Sequence, residues 1–257
     1  VTWVLTADGD TLQQGTLDAD VPPGAWTEAT VPFETPALVP GTDYWLTVQV
    51  RLADDTPYAE AGHVIGTERL QVPFDVPPAD TLDVAEQPPV SVEESESAVS
   101  LTGDEFEYAF DKAAGTFASL TYRGTEVLSG GPRLNLWRTP TLVDEAGFWE
   151  QLAPQWRAAG LDSLTHEVQS VDISESDDET ARIVAEGTVC GRDTVRAEFT
   201  YDYTVLGRGD VLLAVDVRPT EALRSAVSSL ARVGVALEVP NRMDRVQWYG
   251  RGPVGSL

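Results

Sequence analysis

Apolar and polar residues alternate with a period of two through long stretches of this chain, which predicts strands with one buried face. Between Tyr44 and Leu52, Tyr44, Leu46, Val48, Val50 and Leu52 fall on one side, and Trp45, Thr47, Gln49 and Arg51 on the other. Upstream, Trp3–Ala7 and Thr11-Leu12 flank Asp8-Gly9-Asp10, a hairpin signal. Short strands separated by Pro, Gly and Asp clusters over residues 1–74 fit a small antiparallel sandwich of immunoglobulin type. The period is lost over residues 75–97, where Pro77, Pro78, Pro88 and Pro89 stand among acidic residues, so this segment is expected to be an extended linker.

Alternation returns from Val99. Phe106, Tyr108 and Phe110 share a face, and turns at Asp111–Gly115 and Tyr122–Thr125 make a meander. Further strands are predicted at 164–171, 181–189, 195–206, 211–217 and 233–239, with Phe199, Tyr201 and Tyr203 on one face of the third. One stretch breaks the rule: Trp149, Leu152, Trp156 and Ala159 recur at helical spacing, Pro154 marks a start and Gly160 a left-handed stop. At that spacing the tryptophans read as core anchors before sugar platforms. The fold class is therefore all-β with one short helix, the second domain spanning residues 98–257.

Composition narrows the function. Of 257 residues, 17 are basic and 42 acidic, a formal charge of −25 that argues against nucleic acid or an anionic membrane as partner. A neutral ligand such as a sugar stays open. Cys190 is the only cysteine, so no intrachain disulfide can form and a cytoplasmic location fits; it reads as a small apolar strand residue. With His63 and His166 the only histidines, no zinc-like ligand spacing exists, and His63, at a strand start, reads as a packed structural residue. No run is long and apolar enough for a membrane span. Val1 falls inside a strand pattern, so the chain is expected to belong to a longer one.

Several segments, in order, resemble one family. Tyr44–Val50 with Ala59–Ile65, Phe110-Asp111-Lys112-Ala113-Ala114-Gly115, Leu128-Ser129-Gly130-Gly131-Pro132, Arg133–Thr141, Trp156–Leu164 and Trp248-Tyr249-Gly250-Arg251-Gly252-Pro253 are similar to the C-terminal part of family 2 β-galactosidases. The resemblance implies a last immunoglobulin-like domain followed by a large antiparallel supersandwich of galactose mutarotase-like type. It implies a parent that hydrolyses terminal β-D-galactosyl residues with retention, through two carboxylates held in a catalytic barrel outside this chain. Magnesium and sodium would be bound there too, this chain would carry no cofactor and no catalytic residue, and the parent would be a homo-oligomer.

The resemblance also marks one loop. Arg138, Pro140, Thr141, Asp144 and Gly147 match the family's loop at the rim of the barrel's active site, with Leu142-Val143 where an acidic–amide pair is usual. Asp144 and Glu145 look like a carboxylate pair, yet neighbours on a short loop do not by that fact hold the spacing glycoside hydrolysis needs. Two other functions remain: a stand-alone carbohydrate-binding or assembly module, favoured by a solvent-facing cluster among Trp137, Trp149, Trp156 and Trp248, and a mutarotase-like epimerase, which requires a histidine and a carboxylate in one pocket.

Overall fold

In the computed structural model, described for residues 1–79, 87–147, 150–177, 179–193 and 195–246, one compact unit is built on Val1–Leu82 and another on Asp83–Arg245. The first begins with the expected hairpin, Thr2–Ala7 (β1) and Asp10–Thr16 (β2). Tyr44–Arg51 (β3) lies on the other side of β1, and Val64–Gln71 (β4) closes an antiparallel sheet of order β2-β1-β3-β4. Trp3, Leu5 and Leu46 form its core. What covers them is not a second ladder: Leu17, Val31, Phe33 and Val72 pack on that core, the middle two from the proline-rich stretch between β2 and β3. Prolines at 22, 23, 32, 36 and 40 remove the backbone donors a ladder requires, so this layer is made of irregular chain.

The second unit is a two-layer sandwich. Ser91–Glu94 (β5), Ala98–Thr102 (β6), Phe106–Asp111 (β7), Thr116–Tyr122 (β8), Thr125–Leu128 (β9) and Gly130–Asn135 (β10) belong to one antiparallel sheet. It ends in Gly234–Glu238 (β15) beyond β10. Thr165–Asp177 (β11), Thr180–Cys190 (β12), Arg196–Leu206 (β13) and Val211–Pro219 (β14) form the other sheet as a plain up-and-down meander. Ser91–Glu94, read from composition as linker, pairs with β6 through Ser91↔Thr102 and Glu94↔Val99.

Alternation on β13 holds the layers together. Ala197, Phe199, Tyr201, Tyr203 and Val205 are buried. Tyr203 meets Phe110 and Phe117 of the facing sheet edge-on, at ring-centroid distances of 5.5 and 5.2 Å. The Leu134 backbone N–H donates to the Tyr201 hydroxyl at 2.6 Å, a bond between the sheets in a buried setting. Tyr201→Phe would leave that donor unpaired and is expected to lower stability by about 1–3 kcal/mol in urea unfolding, where Tyr58→Phe, at an exposed ring, changes nothing. Equal midpoints for the two variants would show that this bond contributes nothing net.

The expected helix is Leu152–Ala159 (α2), with Pro154 in its first turn, where a missing N–H costs nothing. It buries Ala153, Trp156 and Ala159 and stops at Gly160, φ 73°, whose N–H returns to the Arg157 carbonyl. A side chain there would meet the Arg192 backbone nitrogen at 2.7 Å, so glycine is required twice over, by conformation and by space. Among the described residues two more short α-helices occur, Leu142–Ala146 (α1) and Glu221–Ala226 (α3), capped by the Thr141 and Thr220 hydroxyls. No helix among the described residues is long and apolar enough to cross a membrane.

Candidate functional site

The loop singled out by the sequence begins where β10 leaves the sheet. Asn135 ties the turn, its amide donating to the Trp137 carbonyl and its amide oxygen accepting from the Trp137 N–H, both at 3.0 Å. Pro140 cannot donate a backbone bond and holds the preceding residue extended, delivering the chain to Thr141 in N-cap conformation. Thr141 and Asp144 then form a capping box: the Asp144 N–H donates to the Thr141 hydroxyl oxygen, and the Thr141 N–H donates to Asp144 Oδ2 at 2.6 Å. After five helical residues the chain leaves at Gly147, where a Cβ would stand 2.4 Å from the Glu150 carbonyl oxygen and 2.9 Å from that of Val143. Only glycine fits.

Arg138 joins this helix to the sandwich. Its Nη1 and Nη2 donate to Asp144 Oδ2 and Oδ1 at 2.6 and 2.9 Å, a two-pronged ion pair. Its Nε donates to the Ala231 carbonyl at 3.0 Å, and its guanidinium lies 5.1 Å from the centre of the Trp156 ring. Trp156 is buried, meets Trp137 edge-on and donates its Nε1–H to the Ser229 carbonyl at 2.8 Å. Glu145 pairs with Arg157 of α2. α1, through Arg138, and α2, through Trp156, are thus tied to the segment that follows α3.

This arrangement decides what the two carboxylates can do. Arg138, then the Thr141 N–H and hydroxyl, hold the Asp144 carboxyl far below the usual carboxylate range, and Arg157 lowers Glu145. An acid for glycoside cleavage needs the opposite, a raised pKa, and a nucleophile needs free lone pairs. With four hydrogen bonds accepted, Asp144 is a structural anion. What the loop offers outward is apolar: Leu142 and Val143 are 82% and 76% exposed.

Residues 102–256 match the family described as beta galactosidase small chain, and residues 1–73 that described as beta-galactosidase, domain 4. The chain belongs to the β-galactosidase small-chain family. A β-galactosidase of Priestia megaterium is 27% identical over 252 residues, 98% of this chain and 23% of the relative. Those of Psychromonas ingrahamii and Pseudoalteromonas haloplanktis are 26% and 24% identical, each over 98% of this chain and 25% and 24% of their own lengths. The chain therefore spans about a quarter of the length of these curated relatives.

The other sequence candidates of this small-chain family member divide clearly. Trp137 and Trp156 pack against each other in the core, so they form no solvent-facing platform, while Trp149 and Trp248, with the segment after Val246, lie outside the described residues. His63 is exposed at the entry to β4 instead of packed. His166 is half-buried on β11, its Nε2 at 3.1 Å from the Leu134 carbonyl oxygen, and burial pushes it below the ordinary imidazole value. Its close neighbour is the Phe199 ring, and no ion pair or hydrogen bond to a carboxylate joins it among the described residues. Cys190 is buried in β12 with burial raising its thiol, the setting of an inert residue.

Among the described residues no three His, Cys, Asp or Glu side chains group to hold a metal ion. What the sequence reading missed is the ion-pair frame, Arg138–Asp144 and Arg157–Glu145. A signal existed in Thr141-x-x-Asp144, the spacing of a capping box.

Proposed function

We propose that this chain is the non-catalytic C-terminal part of a longer β-galactosidase, which hydrolyses terminal β-D-galactosyl residues with retention. The catalytic carboxylates and the magnesium and sodium ligands belong to a barrel outside these 257 residues, in a cytoplasmic homo-oligomer. The loop carrying Arg138, Pro140, Thr141, Asp144 and Gly147 borders that barrel's site, and its ion pairs keep it in one shape while Leu142 and Val143 face outward.

The observation that carries this reading is the pattern of coverage: 98% of this chain aligns with proteins named β-galactosidase, yet it accounts for about a quarter of each. The ion-paired Asp144 and Glu145 agree with it, since the best local carboxylate pair is spent on structure. The purified chain is expected to show no hydrolysis of a chromogenic β-galactoside, with a full-length relative as positive control. Turnover that follows the chain through purification would place catalysis here and end this reading.

A further inference from the structure

The Gly130-Gly131-Pro132-Arg133 segment opens a cavity of about 300 Å³ in the larger sheet of the second unit. Its origin is local. Pro132 has no N–H, Gly131 stands at φ 99°, and the β10–β15 register slips between Gly130 and Arg133. On the other side β10 meets β8 only at Gly131↔Phe117. The bulge thus leaves a gap where two ladders would otherwise run on, and it turns Arg133 to face it. A Cβ on Gly131 would sit 2.9 Å from the Ala236 carbonyl oxygen, so the glycine is what lets β15 close the far wall.

We propose that this cavity binds a neutral polyol of monosaccharide size. Its volume lies at the small end of the range of about 300–1,000 Å³ typical of small-molecule sites. Asp111, Glu238 and Ser129 line it beside Arg133, and Ala114, Ala118 and Leu237 supply the apolar part. The Arg133 side chain makes no hydrogen bond or ion pair among the described residues, so its five N–H donors remain for a ligand. Asp111 Oδ1 already accepts from the Ala113 and Ala114 N–H groups, and Oδ2 is left over.

Charge selects the ligand class. An anion would face two carboxylates and a chain of formal charge −25; a cation would face the unpaired guanidinium. A hydroxyl satisfies both at once, donating to a carboxylate while accepting from Arg133, and adjacent hydroxyls on a ring match the planar fork of arginine. The site is independent of the loop at Arg138 and of the glycosidase reading, so either can fail alone.

Titration of the 257-residue chain with galactose, followed by amide chemical shifts, tests this. Saturable shifts centred on Gly130–Arg133 and Ala236–Glu238 are expected, with a dissociation constant on the order of 1–10 mM. Arg133→Ala is expected to weaken binding at least tenfold and Glu238→Gln several-fold, at unchanged melting temperature because both side chains are exposed. Overturning results are an absence of saturable shifts, equal affinity in Arg133→Ala, or acetate or an alkylammonium ion binding as tightly as galactose.

Discussion

Replacing Trp156 with alanine is expected to lower the stability of the unit Asp83–Arg245 by about 3–5 kcal/mol, the usual cost of emptying a core aromatic site. Trp156 is 1% exposed, held by its own helix, the loop after β10 and the segment after α3. Ala153 and Ala159 flank it on α2, Trp137 meets it edge-on, Arg138 lies over its face, and its Nε1–H is taken by Ser229 after α3. Alanine would open a cavity, leave the Ser229 carbonyl without its donor and take the aromatic ring from beside the Arg138 guanidinium, which keeps Asp144 and Ala231. Urea unfolding of the purified chain, monitored by far-UV circular dichroism, gives the measurement, with Trp26→Ala as control because that ring is 82% exposed. A loss at Trp156 no larger than at Trp26 would mean that the loop and α2 do not depend on this anchor.

The sandwich was largely legible because its strands obey a period of two over long runs. On β13, Phe199, Tyr201 and Tyr203 alternate with Glu198, Thr200, Asp202 and Thr204, and burial follows that order residue by residue. α2 was legible for a different reason: Trp156 and Ala159 share a face, and Gly160 needs a conformation that glycine alone adopts freely. The two short helices were not. Five or six residues complete too little of a hydrophobic stripe to register, and their evidence is a cap, Thr141 with Asp144 and Thr220 ahead of Leu223. Ser91–Glu94 was hidden by its own charge. An edge strand carrying Glu93 and Glu94 resists pairing with other chains, and for the same reason its composition imitates a linker. At the candidate loop the residue types could be matched in sequence, but the pairing of Arg138 with Asp144, six positions apart across a turn, depends on backbone geometry that no periodicity encodes.

That pairing gives the second large effect, and its sign can be worked out. The folded pKa of Asp144 lies far below the unfolded value of about 3.9. Its stabilisation is therefore complete above about pH 4–5, and it is lost as pH falls through the folded pKa, because the unfolded chain takes up the proton first. Asp144→Asn keeps the shape but replaces one acceptor with a donor aimed at donors, Arg138 or the Thr141 N–H and hydroxyl. The variant is expected to be clearly less stable at pH 7, by more than Glu145→Gln, whose carboxylate and partner Arg157 both stand well in solvent. Titrating both chains with urea from pH 7 to pH 3 separates this group from the other carboxylates, which change alike in each. The gap between wild type and Asp144→Asn should stay level down to about pH 4 and then narrow, since protonation removes from the wild type what the substitution has already removed. A gap of the same size at pH 3 and pH 7 would show that the ionised carboxylate is not what holds the loop, and would leave packing against Trp156 as its main support.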